Sequence, residues 1–286
     1  SNATICTVAA LHFLNNNRTS SVDIFQSIVL GIIEGMTEFL PVSSTGHMIV
    51  ASEFMGLPQS DSIKAFEVII QLGAILAVVA NYREKFTPKY FDLWVKVAIA
   101  FFPIGLVGLF FHKNIEALFS IQVVAMMFII GGIVFLVIEY FLKNKIPTIN
   151  RVEDISYKQA LIIGGAQVLG LVPGTSRSGS TIIGSLLLGI SRKASAEFSF
   201  LLALPVMVAA SGLNILKHYH EFAGENFLPL AVGFVTAFVS AYVVMKLFIA
   251  FLNRFTFNAF GIYRIIFGLV LFYLLYQGFI SPTVTA

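Results

Sequence analysis

The sequence predicts an all-α polytopic membrane protein with six transmembrane helices and two re-entrant helix–loop–helix pairs, arranged as an inverted-topology repeat. Of the 286 residues, 57% are hydrophobic and only 12% are charged, about half the charged share of a typical soluble domain. Apolar runs near the length needed to cross about 30 Å of hydrocarbon recur along the chain. Two further apolar runs are interrupted by loops rich in Ser and Gly. This pattern excludes an ordinary soluble domain.

Six apolar runs are long enough to cross a bilayer as helices, which satisfy their backbone polar groups within the segment. They are Phe66–Asn81, Leu93–Phe111, Ile121–Leu142, Glu197–Leu216, Leu228–Phe251 and Phe260–Ile280. We expect one membrane domain over residues 22–280 and a short tail over 281–286. Residues 1–21 are expected to be an extension outside it, in which Ser1–Ala3 resembles a cloning remnant. Cys6 is the only cysteine, which excludes an intramolecular disulfide.

Two apolar regions are broken in the middle. Val22–Leu40 stops at the loop Pro41–His47 before a short stretch to Gly56, and Gln159–Val172 stops at the loop Pro173–Gly179 before a short stretch to Gly189. A loop at membrane depth is tolerated where it lines a cavity within the protein. Each pair is therefore predicted to be re-entrant. For the first pair a full crossing stays open, because its first arm is long enough to span.

The two halves of the chain align when they are offset by about 133 residues. Ser43 then falls on Ser176, Thr45 on Ser178, Gly46 on Gly179, Gly56 on Gly189 and Glu34 on Gln167. The repeats cover about 22–142 and about 158–280, each with one broken pair and three crossings. Because three is odd, the second half is inverted relative to the first. Inverted repeats place their working site where the discontinuous elements meet, so the two loops are expected to face each other.

Positive charge predicts the orientation, since Lys and Arg favour cytoplasmic connections. The residues of this group are Arg83, Lys85, Lys89, Lys96, Lys143, Lys145, Arg151, Lys158, Arg192, Lys193, Lys246, Arg254 and Arg264. The connections that carry them are therefore expected in the cytoplasm, with both termini on the opposite side.

Glu34 and Glu38 lie one helical turn apart in an apolar segment, where like charges repel and desolvation is costly. They favour a bound cation or a shared proton, and a divalent metal held by Glu34 and Glu38, Mg²⁺ or Ca²⁺, suits carboxylate oxygens. A protonated Glu bonded to a backbone carbonyl is the structural alternative. Gly31 and Gly35 on the same helix form a GxxxG pattern, which is typical of helix packing.

The two loops together have the composition of an anion site. The planar guanidinium of Arg177 matches phosphate oxygens, although an arginine that only reaches for the membrane interface is the alternative. Short helices that begin after the loops would direct their N-termini at the same anion. The candidate substrate-binding residues are Ser43, Thr45, Gly46, Thr175, Ser176, Ser178 and Gly179.

Two serines are candidate nucleophiles, with His47 as proton carrier. Ser44 lies three positions before His47 and can project on the same face. Ser43 is expected at the helix cap, with its oxygen turned toward the first N–H groups, yet it is also within reach of His47. A water activated by His47 or by a carboxylate stays open. Trp94, Tyr263 and Tyr273 are interpreted as packing or lipid-facing residues, and Gln71 is left undecided.

The runs Glu34–His47 and Pro173–Gly179 closely resemble the two signature motifs of the bacitracin-resistance type undecaprenyl-diphosphatase family, and the similarity extends from about Val22 to Phe279. The resemblance implies hydrolysis of undecaprenyl pyrophosphate to undecaprenyl phosphate and inorganic phosphate. This reaction recycles the lipid carrier of cell-wall precursors and confers bacitracin resistance. The resemblance also implies an inner-membrane site open to the periplasm. It places family roles on Glu34, Glu38, Ser44, His47 and Arg177, and it favours Ser44 over Ser43.

A transporter or flippase of undecaprenyl phosphate is the main alternative, because inverted repeats with broken helices are transporter architecture. The loop contents favour the enzyme, since a carrier has less need for a Ser/His pair beside two carboxylates. A non-catalytic lipid-binding protein is a third interpretation. The expected partners are a polyprenyl pyrophosphate lipid, the bilayer and a second copy in a homodimer. Nothing in the sequence predicts a nucleic-acid partner.

Overall fold

Ten α-helices form the part of the chain described by the computed structural model, which comprises residues 22–57, 60–218 and 227–280. They are α1 Ile24–Thr37, α2 Ser44–Phe54, α3 Asp61–Asn81, α4 Phe91–Glu116, α5 Ile121–Leu142, α6 Tyr157–Gln167, α7 Arg177–Leu187, α8 Arg192–His218, α9 Phe227–Leu252 and α10 Asn258–Tyr276. Within these ranges there are no β-strands. The predictions for residues 1–21 and 281–286 lie outside the described residues.

The six predicted spans are confirmed as helices long and apolar enough to cross a membrane. The fifth helix, α5, begins and ends where the sequence predicts. Other ends differ because polar caps, rather than apolar residues, set them. Helix α3 begins at Asp61, since the side chain of Ser60 accepts a hydrogen bond from the Ile63 amide at 3.4 Å. Hydropathy alone does not detect such a start.

The two broken regions are four short helices. Helix α1 has 14 residues, and α2, α6 and α7 have 11 each, so they extend about 21 and about 16 Å. Neither length crosses about 30 Å of hydrocarbon. A single crossing by the first arm is therefore excluded, because the helix ends at Thr37. Re-entry within the bilayer stays a prediction.

The internal repeat is confirmed by backbone geometry as well as by element order. Ser43 and Ser176 both have a positive φ, of 66° and 76°, and both precede a short helix. Gly56 and Gly189 end these helices with φ of 68° and 78°. Packing repeats too: α1 and α3 pack on α9, as α6 and α8 pack on α4. The equivalent helices α5 and α10 pack on each other.

Glycines on α1, in the first half, allow it to approach α9, in the second half, closely, as the GxxxG pattern predicts. A Cβ on Gly31 would lie 2.6 Å from the carbonyl oxygen of Gly233, and one on Gly35 would lie 2.5 Å from that of Ala237. Alanine at either position would therefore push α1 away from α9. Helix α1 also carries Glu34 on its buried face. The close contact with α9 therefore fixes the position of the Glu34 carboxylate.

The basic connections are built into the fold through ion pairs. Lys85 pairs with Glu153, and the Lys96 ammonium donates to the Glu153 backbone carbonyl at 2.7 Å. Burial acts to raise the pKa of Glu153, but hydrogen bonds from Lys85 and the backbone, together with the charges of Lys85 and Arg151, hold that pKa below its usual value. The assignment of Arg264 to this cytoplasmic group is wrong, because it is fully buried inside α10.

Candidate active site

A cavity of about 190 Å³ lies where the two broken loops meet. Its polar wall is formed by Glu38, Ser43, Ser44, Thr45, Gln71, Ser176 and Arg177. Its apolar wall includes Ile104, Phe119, Leu171, Val206 and Met207. The prediction that the two loops face each other is thus confirmed. The volume suits a small anionic group, while a long apolar chain would have to lie outside it.

Three predicted residues form one hydrogen-bonded chain in the polar wall. The Ser44 hydroxyl donates to Oε2 of Glu38 at 2.6 Å. Nη2 of Arg177 donates to Oε1 of the same carboxylate at 2.9 Å. The side chains of Arg177 and Glu38 are only 11% and 7% exposed. A carboxylate paired this closely with a guanidinium and a hydroxyl can both orient the hydroxyl and accept its proton.

Arg177 is held by more than the ion pair. Its Nη1 donates to the carbonyl oxygen of Ser199 at 2.8 Å, and its Nη2 lies 3.8 Å from the sulfur of Met207. The Ser199 hydroxyl in turn lies 2.7 Å from Oγ1 of Thr181, one turn further along α7. The guanidinium is therefore preorganised toward the cavity, and the interpretation of Arg177 as an interfacial anchor is wrong.

The two repeat-related serines at the helix starts differ in their capping. Ser176 caps α7, because its Oγ accepts from the Gly179 amide at 3.1 Å. Ser43 precedes α2 without any side-chain cap hydrogen bond, so the predicted cap by its oxygen is wrong. Both residues hold a positive φ, which costs of order 1–3 kcal/mol in a non-glycine residue. Such strain is concentrated at functional sites, and here it turns both loops into the cavity.

His47 does not pair with Ser44, which corrects the expected nucleophile–base pair. Its Nδ1 lies 2.8 Å from the carbonyl oxygen of Ser43, and its Nε2 lies 2.6 Å from the hydroxyl of Tyr263. A carbonyl only accepts, so Nδ1 carries a proton, and in the neutral ring Nε2 accepts from Tyr263. The ring stacks on Phe267 at 4.4 Å. In this arrangement His47 tethers the first loop to α10.

Glu34 lies deeper than Glu38 and has an unsatisfied oxygen. It is 3% exposed, and its Oε1 has no hydrogen-bond partner. Glu38 and Gln71 are its neighbours. Among the described residues, no three His, Cys, Asp or Glu side chains converge as a metal site. Two carboxylates and an amide are nevertheless the oxygen donors that Mg²⁺ and Ca²⁺ prefer, and a cation would satisfy the orphaned oxygen.

Residues 27–270 match the family described as Bacitracin resistance protein BacA. The chain belongs to the BacA family. It is 58% identical to the undecaprenyl-diphosphatase of Sulfurovum sp. (strain NBC37-1) in an alignment of 254 residues. That alignment covers 89% of this chain and 100% of the relative. It is 60% identical to the undecaprenyl-diphosphatase of Sulfurimonas denitrificans over 249 residues, and this alignment covers 87% of this chain and 97% of the relative. A relative from Pseudoalteromonas translucida, undecaprenyl-diphosphatase 2, is 57% identical over 255 residues. This alignment covers 89% of this chain and 100% of the relative.

The BacA-family match includes both broken loops, whose other candidate residues have distinct positions. Thr45 lines the cavity. The Ser178 hydroxyl donates to the Leu40 carbonyl oxygen at 2.9 Å and so links the two loops. Gly46 faces the Phe128 ring, which a Cβ would overlap. Thr175, whose buried hydroxyl has no hydrogen-bond partner, and Gly179 lie outside the cavity wall and shape the second loop.

Sequence reasoning missed three residues at this BacA-family site. Gln71 lines the cavity, and a polar amide in the middle of an apolar span was the available signal. Tyr263 bonds His47 as well as facing outward, so the interpretation as packing alone is incomplete. Arg264 reaches both loops from α10. A charged residue at the seventh position of an apolar helix is a detectable signal, but the positive-charge rule assigned Arg264 to the cytoplasmic connections instead.

Proposed function

We propose that this protein hydrolyses undecaprenyl pyrophosphate to undecaprenyl phosphate and inorganic phosphate. The observation that carries the proposal is the chain Ser44–Glu38–Arg177 at the wall of the cavity. It combines a hydroxyl nucleophile, a proton acceptor and a phosphate ligand within one site. Relatives at 57–60% identity are named undecaprenyl-diphosphatases. The family description and this reaction together support a role in bacitracin resistance.

In the first step the Ser44 oxygen attacks the terminal phosphorus and forms a Ser–O–P bond. The bond from that phosphorus to the bridging oxygen breaks, and undecaprenyl phosphate leaves with the electron pair. Glu38 accepts the Ser44 proton, and Arg177 binds the charged phosphoryl oxygens. A water oxygen then attacks the phosphorus of the phosphoserine, the bond from that phosphorus to the Ser44 oxygen breaks, and the water, with both its protons, becomes part of the departing inorganic phosphate. Glu38 returns its proton to Ser44. Direct attack by water, with Ser44 as a phosphate ligand, is the mechanistic alternative.

A divalent cation, Mg²⁺ or Ca²⁺, is part of the proposal. Glu34, Glu38 and Gln71 would hold it, and when bound it would neutralise charge on the diphosphate oxygens. Removal of the cation by a chelator is expected to abolish phosphate release and to lower the melting temperature of the purified protein. A chelator that changes neither quantity would refute the metal. The melting temperature tests binding even where turnover is absent.

The proposal also includes a lipid partner and a location. The apolar wall near Ile104 and Met207 fits the first part of a polyprenyl chain, with the rest lying in the bilayer. We place the protein in the bacterial inner membrane, with the cavity open to the periplasm, because the basic connections favour the cytoplasm. A homodimer stays a prediction. A transporter of undecaprenyl phosphate stays the alternative, and the internal repeat is the observation that favours it.

The deciding experiment measures phosphate release from undecaprenyl pyrophosphate by the purified protein, with Ser44→Ala and Ser43→Ala as variants. We expect Ser44→Ala to be inactive and Ser43→Ala to keep most activity. Acid-quenched turnover with radiolabelled substrate should trap phosphate on the protein. Full activity in Ser44→Ala would exclude the nucleophile. Lipid binding without any phosphate release would exclude the enzyme and support the transporter.

A further inference from the structure

Arg264 is a fully buried cation whose two terminal nitrogens donate to backbone carbonyls of three elements, while its Nε has no hydrogen-bond partner. Its Nη1 donates to the Pro41 oxygen at 3.0 Å, and its Nη2 donates to the oxygens of Gly174 and Met127 at 2.9 Å each. Pro41 belongs to the first broken loop and Gly174 to the second. One guanidinium therefore bonds both chain breaks and α5 at the same time.

Two of the three bonded carbonyls occupy equivalent positions of the repeat. Pro41 and Gly174 are separated by the same offset that relates Ser43 to Ser176. Arg264 belongs to α10, the repeat equivalent of α5, and at that same offset the first half has Gly131 in place of an arginine. Arg264 thus lies where the two halves of the molecule meet, and only the second half supplies the cation.

The surroundings of the guanidinium are shaped to admit it. Gly131 faces Nη2 so closely that a Cβ would overlap it. The face of the Phe128 ring lies 5.1 Å from the guanidinium carbon, within the range of a cation–π contact. In the described ranges no carboxylate pairs with Arg264. Three carbonyl dipoles and a ring are therefore its compensation, an arrangement that a lysine with one ammonium group does not reproduce.

We propose that Arg264 is the positioning residue of this site: by bonding the equivalent carbonyls of Pro41 and Gly174, it fixes Ser44 opposite Arg177. This inference rests on the proposed function. Pro41 lies three residues before Ser44, and Gly174 lies three residues before Arg177, so each bond acts just upstream of a reacting group. A displacement of about 1 Å between such groups costs roughly 100-fold in rate.

The first test is Arg264→Lys, which keeps the charge and removes the fork. We expect kcat for phosphate release to fall about 30- to 100-fold while KM changes less than about threefold, since the lost interaction positions groups for the transition state. The matched control is Arg254→Lys, at an exposed arginine beyond the end of α9, with unchanged kinetics. Near-normal kcat in folded Arg264→Lys would mean that the charge acts alone, and it would overturn the proposal.

A second variant displaces the guanidinium without touching it. In Gly131→Ala the new methyl group takes the place of Nη2, so we expect the same loss of kcat with little change in KM. Gly108→Ala is the control, because a Cβ there meets nothing within 4 Å. This pair carries the test if Arg264→Lys does not fold. Wild-type kcat in folded Gly131→Ala would contradict the proposal.

A third measurement needs no turnover. In a Cys6→Ser background, the thiol of Ser44→Cys is expected to be buried, as Ser44 is at 9% exposure. Adding Arg264→Lys should raise its rate of maleimide labelling at least about tenfold, because the loop is released. An unchanged rate would refute the positioning role. If wild-type protein releases no phosphate, the proposed function fails, while this labelling still decides whether Arg264 fixes the loop.

Discussion

Arg177→Lys separates the geometry of the phosphate site from its charge. In the structure the guanidinium makes two directed bonds before any ligand binds, to Oε1 of Glu38 at 2.9 Å and to the carbonyl of Ser199 at 2.8 Å. These bonds fix the plane of the fork. A lysine ammonium can keep one of these partners or approach the phosphate, but it does not present two parallel donors. The charge stays, and the orientation is lost.

The expected loss can be estimated from this difference. One preorganised donor to a developing charge contributes about 2–4 kcal/mol of transition-state stabilisation, which corresponds to roughly 30- to 1000-fold in rate. Glu38 also loses its fixed partner, so the orientation of Ser44 is weakened as well. We therefore expect kcat/KM for phosphate release to fall by at least about 30-fold.

The assay is phosphate release from undecaprenyl pyrophosphate by purified protein in detergent, with melting temperature as the measure of folding. Arg151→Lys is the matched control, since that side chain is 71% exposed on a connecting loop, and its activity should not change. Turnover within about threefold of wild type in folded Arg177→Lys would refute the reasoning, because the fork would then contribute nothing beyond a positive charge.

Further predictions follow from single contacts. His47→Gln should lower kcat less than about tenfold and leave the pH profile of kcat/KM unchanged, since His47 tethers a loop; loss of the acidic limb, on which a catalytic base becomes protonated, would contradict this. Because the pKa of Glu153 is lowered on folding, Glu153→Gln should reduce the melting temperature at pH 7. The difference should begin to shrink as pH falls below about 4, the ordinary range of a glutamate, and vanish below the lowered pKa; a constant difference would exclude the ion pair as its cause. A cysteine at Lys145, in a Cys6→Ser background, should resist an impermeant reagent in intact spheroplasts; labelling would overturn the orientation. Gln167→Met should keep activity and raise or preserve the melting temperature, because both amide atoms lack partners; a fall would reveal a hidden partner.

Much of the fold could be predicted because the bilayer imposes length and composition on the helices. Helix α5 is predominantly hydrophobic, and it begins and ends at the predicted residues. The first residues of α3 and α8 were harder to predict from hydropathy, since these helices begin at the charged residues Asp61 and Arg192. The single crossing left open for Val22–Leu40 failed for a related reason. Hydropathy counts residues up to Pro41, whereas the helix already ends at Thr37.

The sequence could predict which residues gather at the candidate site, but it could not predict which of them form hydrogen bonds with each other. The spacing of Ser44 and His47 is compatible with one helix face. It does not show that the Ser44 hydroxyl donates its hydrogen bond to Glu38, which follows the end of a different helix. That contact depends on a turn between Glu38 and Ser44, where Ser43 adopts a positive φ. A local pattern does not contain this turn. Arg264 was hidden for the opposite reason, because its partners are backbone carbonyls that leave no signature in side-chain composition.

The asymmetry of the repeat explains how one cavity can carry out chemistry. Ser44 and Arg177 are equivalent positions, each the first residue of a short helix, so the fold brings the proposed nucleophile and the proposed phosphate ligand together by symmetry. The pairs Glu34/Gln167 and Gly131/Arg264 then break that symmetry in opposite senses. The carboxylate belongs to the first half and the buried cation to the second. A symmetric pair of arginines would repel each other, and a symmetric pair of serines would leave the phosphate without a ligand. Divergence at these positions therefore gives the site its polarity, while the shared backbone keeps the two loops face to face.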